Sequence, residues 1–585
     1  MLAPAFQNKR NDIENLNAAL YLKITLSLGF SIQTTYSPRF EWTNYLFHKA
    51  AASPDSGSQN GRVERTHTKD FYWQWDNMLK WNKTFGKHAF DFTFLANWEK
   101  FQRWHDEMTN ENFLPTDELG YGGIGFGTSP NVSSDDVYRT GDAFMGRLHY
   151  VYDQRYLITA TVRRDGYSAF GLANPRATFP AIALGWVFSE EKFLHRPDWF
   201  EYGKLRLSWG KNGNRAVGTY AAFMQLAPRK YIYVDPATGS LVTANTFYAS
   251  TMANPNLKWE STTSWNIGTD LTFLKGRLSA NLDVYKKITT DLLVSRELPS
   301  LIGYSSVMSN IGEVQNTGVE LSLNSTNIRM DKLTWRTSFS LAYNKNKITH
   351  LYGIMEDVKD ADGNVIGQRE ADDIKNKRFI GHDIDEIWDY KVVGIWQEEE
   401  REEAAKYGQQ PGDVHLLDKD MNYKYDNTDK EFQGTTMPRL RWSMRNDFTL
   451  FKNFNISFNM YSYIGHKKTL GRFTNDNALL NVTNQIKRDY WTPENRNNEY
   501  PRLANKKPAG VSYAIYKNAS FLRFDNISIG YTFPKKLIEP LRIQNLNVNA
   551  TMKNAGYISG WPGYDPENSD ANTPRVIYFG INLTL

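Results

Sequence analysis

The chain has 585 residues, a net charge of +5 and no cysteine. The small positive excess gives no support for nucleic-acid binding, and the lack of cysteine excludes disulfides, thiolate zinc sites and a cysteine nucleophile. Aromatic residues make up 14% of the chain, yet the mean hydropathy is −0.57. Without a run of about 18 apolar residues, this composition favours a β protein that is wet on one side, as transmembrane barrels are.

Residues 1–19 carry no alternating pattern and are expected to be an irregular N-terminal segment. They also lack the basic stretch followed by an apolar stretch that marks a signal peptide. Because an exported protein needs such a signal, either the export interpretation is wrong or the natural N-terminus is missing.

Alternation of apolar and polar residues begins at Leu20 and dominates the chain to its end, and it predicts strands whose two faces meet different environments. We expect about sixteen or seventeen strands, many near the roughly ten residues that cross a bilayer at a tilt. The clearest runs lie at residues 20–36, 90–98, 156–163, 278–284, 333–343 and 454–460.

Connections between the strands alternate between short and long. Tight turns are predicted at residues 153–155, 274–276 and 451–453. Short turns at one end and long loops at the other are typical of outer-membrane barrels. The long polar segments are expected at residues 38–70, 100–141, 214–260, 346–438 and 466–518.

Five tryptophans cluster around the predicted hairpin near residues 73–104. Within strands, an aromatic belt at the membrane interface is their usual role. Trp104 is expected in a loop, so it is the better candidate for stacking on a ligand. Arg163 and Arg164 end a strand beside Asp165, where a structural contact at the barrel rim is favoured over ligand binding.

The longest loop contains a predicted short helix at residues 396–408 and then an acidic stretch. That stretch places oxygen ligands at the spacing of a calcium-binding EF-hand loop, although Tyr423 replaces the usual glycine and the last ligand is Asp rather than Glu. A calcium site and a solvated acidic loop both remain open. The candidate ligands are Asp418, Asp420, Asn422, Asp426 and Asp429.

The chain ends in an alternating strand. Gly580, Leu583 and Leu585 resemble the C-terminal signal that the barrel-assembly machinery reads in outer-membrane proteins, with Leu585 in place of the usual terminal aromatic residue.

Several segments, in order along the chain, resemble the SusC/RagA family of TonB-dependent outer-membrane transporters. The most recognisable is RYLITATVRRDGYSAFG at residues 155–171. The others are TFPAIALGW at 178–186, KLRLSWGKNGN at 204–214, NPNLKWE at 254–260, NIGEVQNTGVE at 310–320, SFLRFDNISIGY at 520–531 and GYDPE at 563–567.

The resemblance implies an all-β transmembrane barrel of 22 strands in the cell outer membrane, filled by a plug. It also implies contact with TonB, a lid lipoprotein of the SusD type, and import of glycans or peptides. Residues 20–585 would form an incomplete barrel. No plug or TonB-contacting segment is identified, so we expect that the chain does not transport alone.

Two alternatives stay open. The first is a soluble secreted β protein that binds carbohydrate or hydrolyses glycosides, and the second is a passive porin or adhesin. The sequence has no His-x-x-x-His pair and no Gly-x-Ser-x-Gly, and the architecture indicates that the chain is not an enzyme. No cofactor is predicted apart from the candidate calcium.

Overall fold

The structure is a computed structural model. It describes residues 6–53, 60–113, 117–304, 306–360, 362–469, 489–503, 505–568 and 571–585.

Strands dominate the described residues. In chain order they are β1 (Gln7–Asn17), β2 (Leu20–Thr25), β3 (Phe30–Lys49), β4 (Arg62–Phe85), β5 (His88–Glu111), β6 (Asn131–Tyr152), β7 (Tyr156–Tyr167), β8 (Arg176–Trp186), β9 (Phe200–Asn214), β10 (Gln225–Val234), β11 (Leu241–Met252), β12 (Glu260–Phe273), β13 (Leu278–Thr290), β14 (Leu293–Glu297), β15 (Ser306–Asn310), β16 (Glu313–Arg329), β17 (Leu333–His350), β18 (Met355–Lys359), β19 (Val365–Glu370), β20 (Glu386–Tyr390), β21 (Val392–Ile395), β22 (Val414–Leu416), β23 (Lys430–Thr435), β24 (Leu440–Leu450), β25 (Phe454–Ile464), β26 (Lys467–Thr469), β27 (Tyr516–Asn518), β28 (Phe521–Thr532), β29 (Asn545–Ser559) and β30 (Val576–Thr584).

Helices are few and short in the same residues. The α-helices are α1 (Arg401–Lys406) and α2 (Lys535–Ile538), and α1 lies within the helix predicted at residues 396–408. No helix in the described ranges is long and apolar enough to cross a membrane. The 3₁₀ turns are Ser27–Gly29, Asp117–Phe126, Phe188–Glu190, Ser300–Ile302, Glu398–Glu400, Asn427–Asp429 and Glu539–Leu541.

The principal antiparallel sheet contains eighteen strands in the part of the chain that the structure describes. β1 and β2 pair with successive parts of the same strand, β3, so they occupy one position in the sheet. The eighteen strands therefore fill seventeen positions in the sheet, which agrees with the sixteen or seventeen strands expected from the alternation.

The chain divides into two compact units. Unit 1 comprises residues 1–186, 207–265 and 289–312, and unit 2 comprises residues 187–206, 266–288 and 313–585. In unit 1, β3 to β8 pair in chain order, each antiparallel to the next. In unit 2, β16, β17, β24, β25, β28, β29 and β30 form a second antiparallel series.

Alternation sorts the side chains of unit 1 onto two different faces. Val162 on β7 and Ile182 on β8 leave 53% and 43% of their surface exposed. Their neighbours Thr161 and Ala181 line a cavity on the opposite face. An exposed apolar face opposite a polar one is the arrangement of a strand that separates lipid from water.

Aromatic side chains mark the edges of this apolar face. Trp75 and Phe85 lie on the same face of β4, and Trp75 contacts Trp98 with ring centroids 5.7 Å apart. The strand between Trp75 and Phe85 spans about 33 Å, or about 25 Å across a bilayer at a tilt of about 40°. This matches the height of the apolar band of an outer-membrane barrel, and it supports the aromatic-belt interpretation for Trp75 and Trp98.

The predicted tight turns are confirmed. Asp153 and Gln154 both have positive φ, at 50° and 55°, and Phe451 and Lys452 have φ of 50° and 68°. Pairs of left-handed residues match the right-handed twist of the strands that they join. Each of these turns therefore closes a hairpin without an extended loop.

The N-terminal segment differs from its expectation. Residues 7–17, expected to be irregular, form β1, which pairs along its whole length with β3; residues 1–5 lie outside the described ranges. Ten of its eleven residues are exposed. Because apolar alternation detects strands that bury or immerse one face, a strand that is polar on both faces escapes it.

The predicted run at residues 20–36 is two strands rather than one. β2 and β3 are joined by the 3₁₀ turn Ser27–Gly29, and Leu20 pairs with Tyr36 and Ile24 with Ile32. Partners in this hairpin share parity, so even-numbered residues stay on one face through the turn. The alternation therefore continued across the hairpin, and the sequence showed no break.

The loops expected in unit 1 are shorter than predicted. β3 and β4 take up residues 38–49 and 62–70 of the loop expected at residues 38–70, and β5 and β6 take up residues 100–111 and 131–141 of the loop expected at residues 100–141. Beyond the apolar band, water meets both faces of a strand, so neither face has to be apolar and the alternation fades.

The long loops of unit 2 contain a hydrophobic cluster of their own. Short two-stranded sheets pair β18 with β19, β20 with β23, β21 with β22 and β26 with β27. These segments surround buried aromatic and aliphatic side chains, so they form a packed cluster of their own. The cluster comprises Tyr390, Ile395, Val414, Leu416, Trp491, Tyr513, Ile515, Ala519 and Trp561.

Candidate functional site

The polar face of unit 1 encloses a cavity of about 790 Å³. Strands β4 to β8 form its wall, and the end of β9 with Trp259 completes it. Its polar lining residues are Gln74, Asp76, Asn97, Glu99, Asp142, Thr161, Arg163, Asp165, Lys211, Asn212 and Arg215.

Amide groups hold the first carboxylate of this wall. Asn97 donates a hydrogen bond to Asp76 at 2.7 Å, and Gln74 donates to the other Asp76 oxygen at 2.8 Å. Tyr72 in turn donates to Gln74 at 2.8 Å. These side chains lie on the same faces of two paired strands, so the register of β4 and β5 brings them together.

An ion pair divides the polar wall. Arg215 contacts the carboxylate of Glu99, and both residues line the large cavity and a neighbouring cavity of about 350 Å³. The Arg215 guanidinium also lies 5.1 Å from the ring centre of Tyr167. Since only 13% of the Glu99 side chain is exposed, the pair is partly shielded from water.

Two further ion pairs lie near Gly166 of β7, which pairs with Asp142 of β6 and with Arg176 of β8. Arg176 contacts Asp142 at 2.9 Å, and Arg163 contacts Asp165 at 2.8 Å. A Cβ atom at Gly166 would lie 2.5 Å from an oxygen of Asp142. A side chain at position 166 would therefore require the Asp142 or Arg176 side chain to move. The pairing of Arg163 with Asp165 agrees with the favoured interpretation of Arg163 as a structural contact.

Charges on this wall largely offset one another. Glu99, Asp142 and Asp165 each have an arginine partner. The groups that remain are carboxylate, amide and guanidinium edges, which present hydrogen-bond donors and acceptors in fixed directions. Such a wall can bind and orient polar ligands.

Trp104 does not lie in a loop, which corrects its predicted position. It lies within β5, pairs in register with Lys69, and has the Lys69 ammonium group 5.0 Å from its ring centre. It does not line either of the two cavities. The error arises because β5 continues past the apolar band, where alternation no longer marks a strand.

The acidic loop of unit 2 brings three of its five candidate ligands together. Carboxylate oxygens of Asp418, Asp420 and Asp429 lie within 4.8 Å of one another. Asp429 is fully buried, and its two oxygens accept hydrogen bonds from the backbone N–H groups of Lys419 and Asp426. The donor set consists of oxygen atoms, as a hard cation such as Ca²⁺ requires.

The other two candidates have local partners. The Asp426 side chain accepts hydrogen bonds from the backbone N–H and the hydroxyl of Thr428, both at 2.7 Å, and so caps the turn Asn427–Asp429. The Asn422 amide donates to Asp420 at 2.8 Å. The calcium site therefore stays a prediction, with Asp418, Asp420 and Asp429 as its centre.

Hydrogen bonds favour the charged form of Asp418. Burial raises the pKa of its carboxyl, but hydrogen bonds from the Tyr407 hydroxyl and the Tyr423 backbone outweigh that effect and hold the pKa below its usual range. Burial also raises the pKa of Tyr407, which stays a hydrogen-bond donor. The folded loop therefore favours an ionised carboxylate at Asp418.

The predicted assembly signal lies on the last strand. Gly580 and Leu583 belong to β30, and Leu585 follows it, with Leu583 and Leu585 both exposed. Gly580 pairs with Asn549 of β29, and a Cβ atom at Gly580 would lie 2.9 Å from the Asn549 side chain. Recognition of this strand by the assembly machinery stays a prediction.

Sequence reasoning did not find the polar wall as a site. It singled out Arg163 and Asp165 but not Glu99 and Arg215, which are 116 residues apart in the chain. A signal was present, because Asn97 and Glu99 alternate with the apolar residues Ala96 and Trp98 along β5. Their partners could be assigned only from the register between strands.

The comparisons with known proteins agree with this architecture. The family model described as TonB dependent receptor-like, beta-barrel, matches residues 2–555. TonB-dependent receptor P3 of Formosa agariphila is 28% identical over 94% of this chain and 53% of its own length. TonB-dependent receptor SusC of Bacteroides thetaiotaomicron is 32% identical over 76% of this chain and 43% of its own length.

Solved structures show the same fold. A structure of the RagAB peptide transporter matches with a TM-score of 0.79 and 20% identity, over 99% of this chain and 63% of that one. The chain spans about half the length of the curated relatives named above.

These matches bear on the alternatives. The relatives are receptors and transporters rather than enzymes, which confirms the prediction that the chain is not an enzyme, and they do not favour a soluble sugar-binding protein, a porin or an adhesin. The chain therefore belongs to the TonB-dependent receptor-like β-barrel family, as a barrel of SusC/RagA type from the cell outer membrane.

Proposed function

We propose that the chain forms the barrel wall and outer loops of an importer that takes glycans or peptides across the outer membrane. One observation carries the proposal: in unit 1 an exposed apolar face lies opposite a polar face that encloses a cavity of about 790 Å³. A wall of this kind keeps lipid outside and offers a wet, ligand-binding surface inside.

Both substrate classes fit the cavity. The carboxylate of Asp76, the amides of Asn97 and Gln74 and the ammonium group of Lys211 can bond to sugar hydroxyls and to peptide amides alike. RagAB, whose fold is similar, is a peptide transporter. Its substrate class is a property of RagAB and does not decide between glycans and peptides for this chain.

The proposal includes partners. A lid lipoprotein of the SusD type would close the outer side, and TonB would supply energy to the whole protein. The barrel-assembly machinery would read Gly580, Leu583 and Leu585 on the last strand, and lipid would surround the apolar faces. The SusC and RagAB likenesses support the lid lipoprotein and the TonB link.

Uptake by cells that carry the gene tests the proposal. Cells with and without the gene are given labelled oligosaccharides and labelled oligopeptides, each with and without a protonophore. We expect that deletion abolishes protonophore-sensitive uptake of one class. Equal uptake of both classes by the two strains would contradict an import function.

We also propose that the acidic loop binds calcium through Asp418, Asp420 and Asp429. The convergence of three carboxylates, one of them fully buried, supports this proposal. A bound cation would neutralise their mutual repulsion and fix the loop that contains the turn Asn427–Asp429.

Calcium binding is measured on the purified chain in detergent after treatment with a chelator. We expect that calcium raises the unfolding temperature of the chain and that Asp429→Asn removes the increase. Glu402→Gln, an exposed change in α1, is the control and should keep it. An equal calcium response in both variants would contradict the site.

A further inference from the structure

Two arginines line the smaller cavity of the polar wall, whose volume is about 350 Å³. Each guanidinium lies against an aromatic ring. The guanidinium carbon of Arg139 is 4.2 Å from the ring centre of Phe101. That of Arg215 is 5.1 Å from the ring centre of Tyr167. A cation over a ring face gains electrostatic attraction, so both guanidinium groups have a preferred position at the cavity.

The two arginines differ in their counter-charge. Arg215 contacts the carboxylate of Glu99. Arg139 pairs with Phe101 across β5 and β6, so the strand register places a ring opposite it rather than an acid. On the other side of β6, the pairing with β7 ends at Gly141 and does not reach Arg139. Within the described ranges, Arg139 has no carboxylate partner.

A neighbouring arginine shows what the same strands provide elsewhere. Arg103 lies two residues beyond Phe101 on β5, and its register partner is Asp70 on β4. Arg103 donates hydrogen bonds to both oxygens of Asp70, at 2.7 Å and 2.6 Å. The lack of an acid beside Arg139 is therefore a local feature of the smaller cavity, and the rest of the wall does supply partners.

The described lining of the smaller cavity carries a net positive charge. It contains two guanidinium groups and one carboxylate, that of Glu99, which leaves a charge of +1. Arg139 is half-buried, so its unpaired charge is less well solvated than a charge in bulk water. A guanidinium can bind a carboxylate through two parallel N–H bonds, which gives direction as well as charge. The cavity is therefore suited to an anionic group.

The smaller cavity lies farther from the tight turns than the larger one. Along β5, the larger cavity is lined as far as Glu99, and the smaller one also by Phe101. The strand begins at His88, directly after the turn that joins it to β4. Short turns face the periplasm in outer-membrane barrels, so a ligand from outside the cell reaches the smaller cavity first.

We propose that the smaller cavity is a binding subsite for a carboxylate group of the substrate, with Arg139 as the residue that recognises it. The carboxylate is an anionic group that both proposed substrate classes can carry, as a sugar acid in a glycan or as an acidic side chain or C-terminus in a peptide. This subsite rests on the proposed function and adds the chemical group that the importer selects.

Matched pairs of probes, bound to the purified chain in detergent, test the subsite. The saccharide pair is an oligogalacturonide and its methyl ester, and the peptide pair is an oligopeptide with glutamate and the same peptide with glutamine. We expect a charged probe to bind about tenfold more tightly than its neutral partner, because charge-assisted hydrogen bonds are about twice as strong as neutral ones. The pair that shows the difference identifies the source of the carboxylate. Equal binding within both pairs, or no binding of any probe, would overturn the subsite.

Removal of the charge at position 139 gives an independent readout. Arg139→Gln should lower the affinity for the charged probe about tenfold, because the amide keeps hydrogen-bond donors but no charge. Arg147→Gln is the matched control, since Arg147 is an exposed residue on the same face of β6 that lines neither cavity. Heat-modified migration on a gel shows that each variant has folded. A preference for the charged probe that survives in Arg139→Gln would show that Arg139 does not recognise the carboxylate.

Uptake by cells separates this subsite from the importer proposal. If deletion of the gene abolishes uptake of a neutral probe, and the purified chain does not favour the charged probe, the subsite is wrong and the import function stands. If the chain binds the charged probe through Arg139, but deletion leaves the uptake of all four probes unchanged, the import function is wrong and the carboxylate site stands.

Discussion

The guanidinium of Arg523 is buried at the outer end of β28, where it meets Asp565 at 2.5 Å and Glu567 at 2.7 Å. Arg523 is 2% exposed and Asp565 is 1% exposed. Charges taken this far from water are stable only when they are paired. The pair therefore ties the loop around residue 565 to the barrel wall.

Removal of one partner should destabilise unit 2. We expect Asp565→Leu to lower the free energy of unfolding by about 3–5 kcal/mol, because Arg523 loses its nearest charged partner in a buried site. Arg523→Met combined with Asp565→Leu should recover part of the loss. The exposed pair Arg445–Asp447 is the control, and Arg445→Gln should cost under about 1 kcal/mol. Denaturant unfolding in detergent measures each value.

His466 gives unit 2 a defined response to acid. It is 4% exposed, and burial, with Lys468 and Arg441 nearby, lowers its pKa to about 4. The neutral form is thus favoured in the folded chain. The stabilisation is complete above the ordinary pKa of about 6.5 and is lost as the pH falls towards 4.

The expected slope is up to about 1.4 kcal/mol of unfolding free energy per pH unit between 6.5 and 4. His466→Gln should flatten this part of the stability profile, and His195→Gln, at an exposed histidine, should not. Identical profiles for the unmodified chain and His466→Gln would show that His466 is not the titrating group.

Single elements show how tightly the backbone is specified. In the turn between β2 and β3, Gly29 has a φ of 90°, and a Cβ atom there would lie 2.1 Å from the carbonyl oxygen of Asn82. Gly29→Ala should therefore cost more than about 2 kcal/mol, from the left-handed backbone together with the clash. Gly146→Ala, where the space is open, should cost much less. Parallel measurements of the unfolding free energy of the two variants test this difference.

Individual strands also show which parts of the fold could be predicted from the sequence alone. β7 and β25 alternate cleanly because one face meets an apolar environment, and both were predicted. β1 was missed because it is polar on both faces, and the β2–β3 turn was missed because its partners share parity. The Glu99–Arg215 pair depends on strand register, which no local pattern reveals.

The barrel wall separates lipid from water, so the same substitution should have different effects on stability at neighbouring positions of one strand. Val162 lies on the exposed apolar face of β7, and Thr161 lines the cavity. Val162→Arg should destabilise the barrel in lipid by about 2–4 kcal/mol near the bilayer centre, and Thr161→Arg should cost little. Folding titrations in lipid vesicles measure the difference, and equal costs would contradict the assignment of the faces.

The length of β4 has a consequence outside the membrane. From Trp75 to Arg62 the strand continues for about 43 Å, or roughly 33 Å along the membrane normal at a tilt of about 40°. That part of the wall stands clear of the hydrocarbon as a rigid collar. An antibody or a bacteriophage that approaches the cell meets this collar before it meets lipid, so the strands that enclose the cavity also give the cell a recognisable surface.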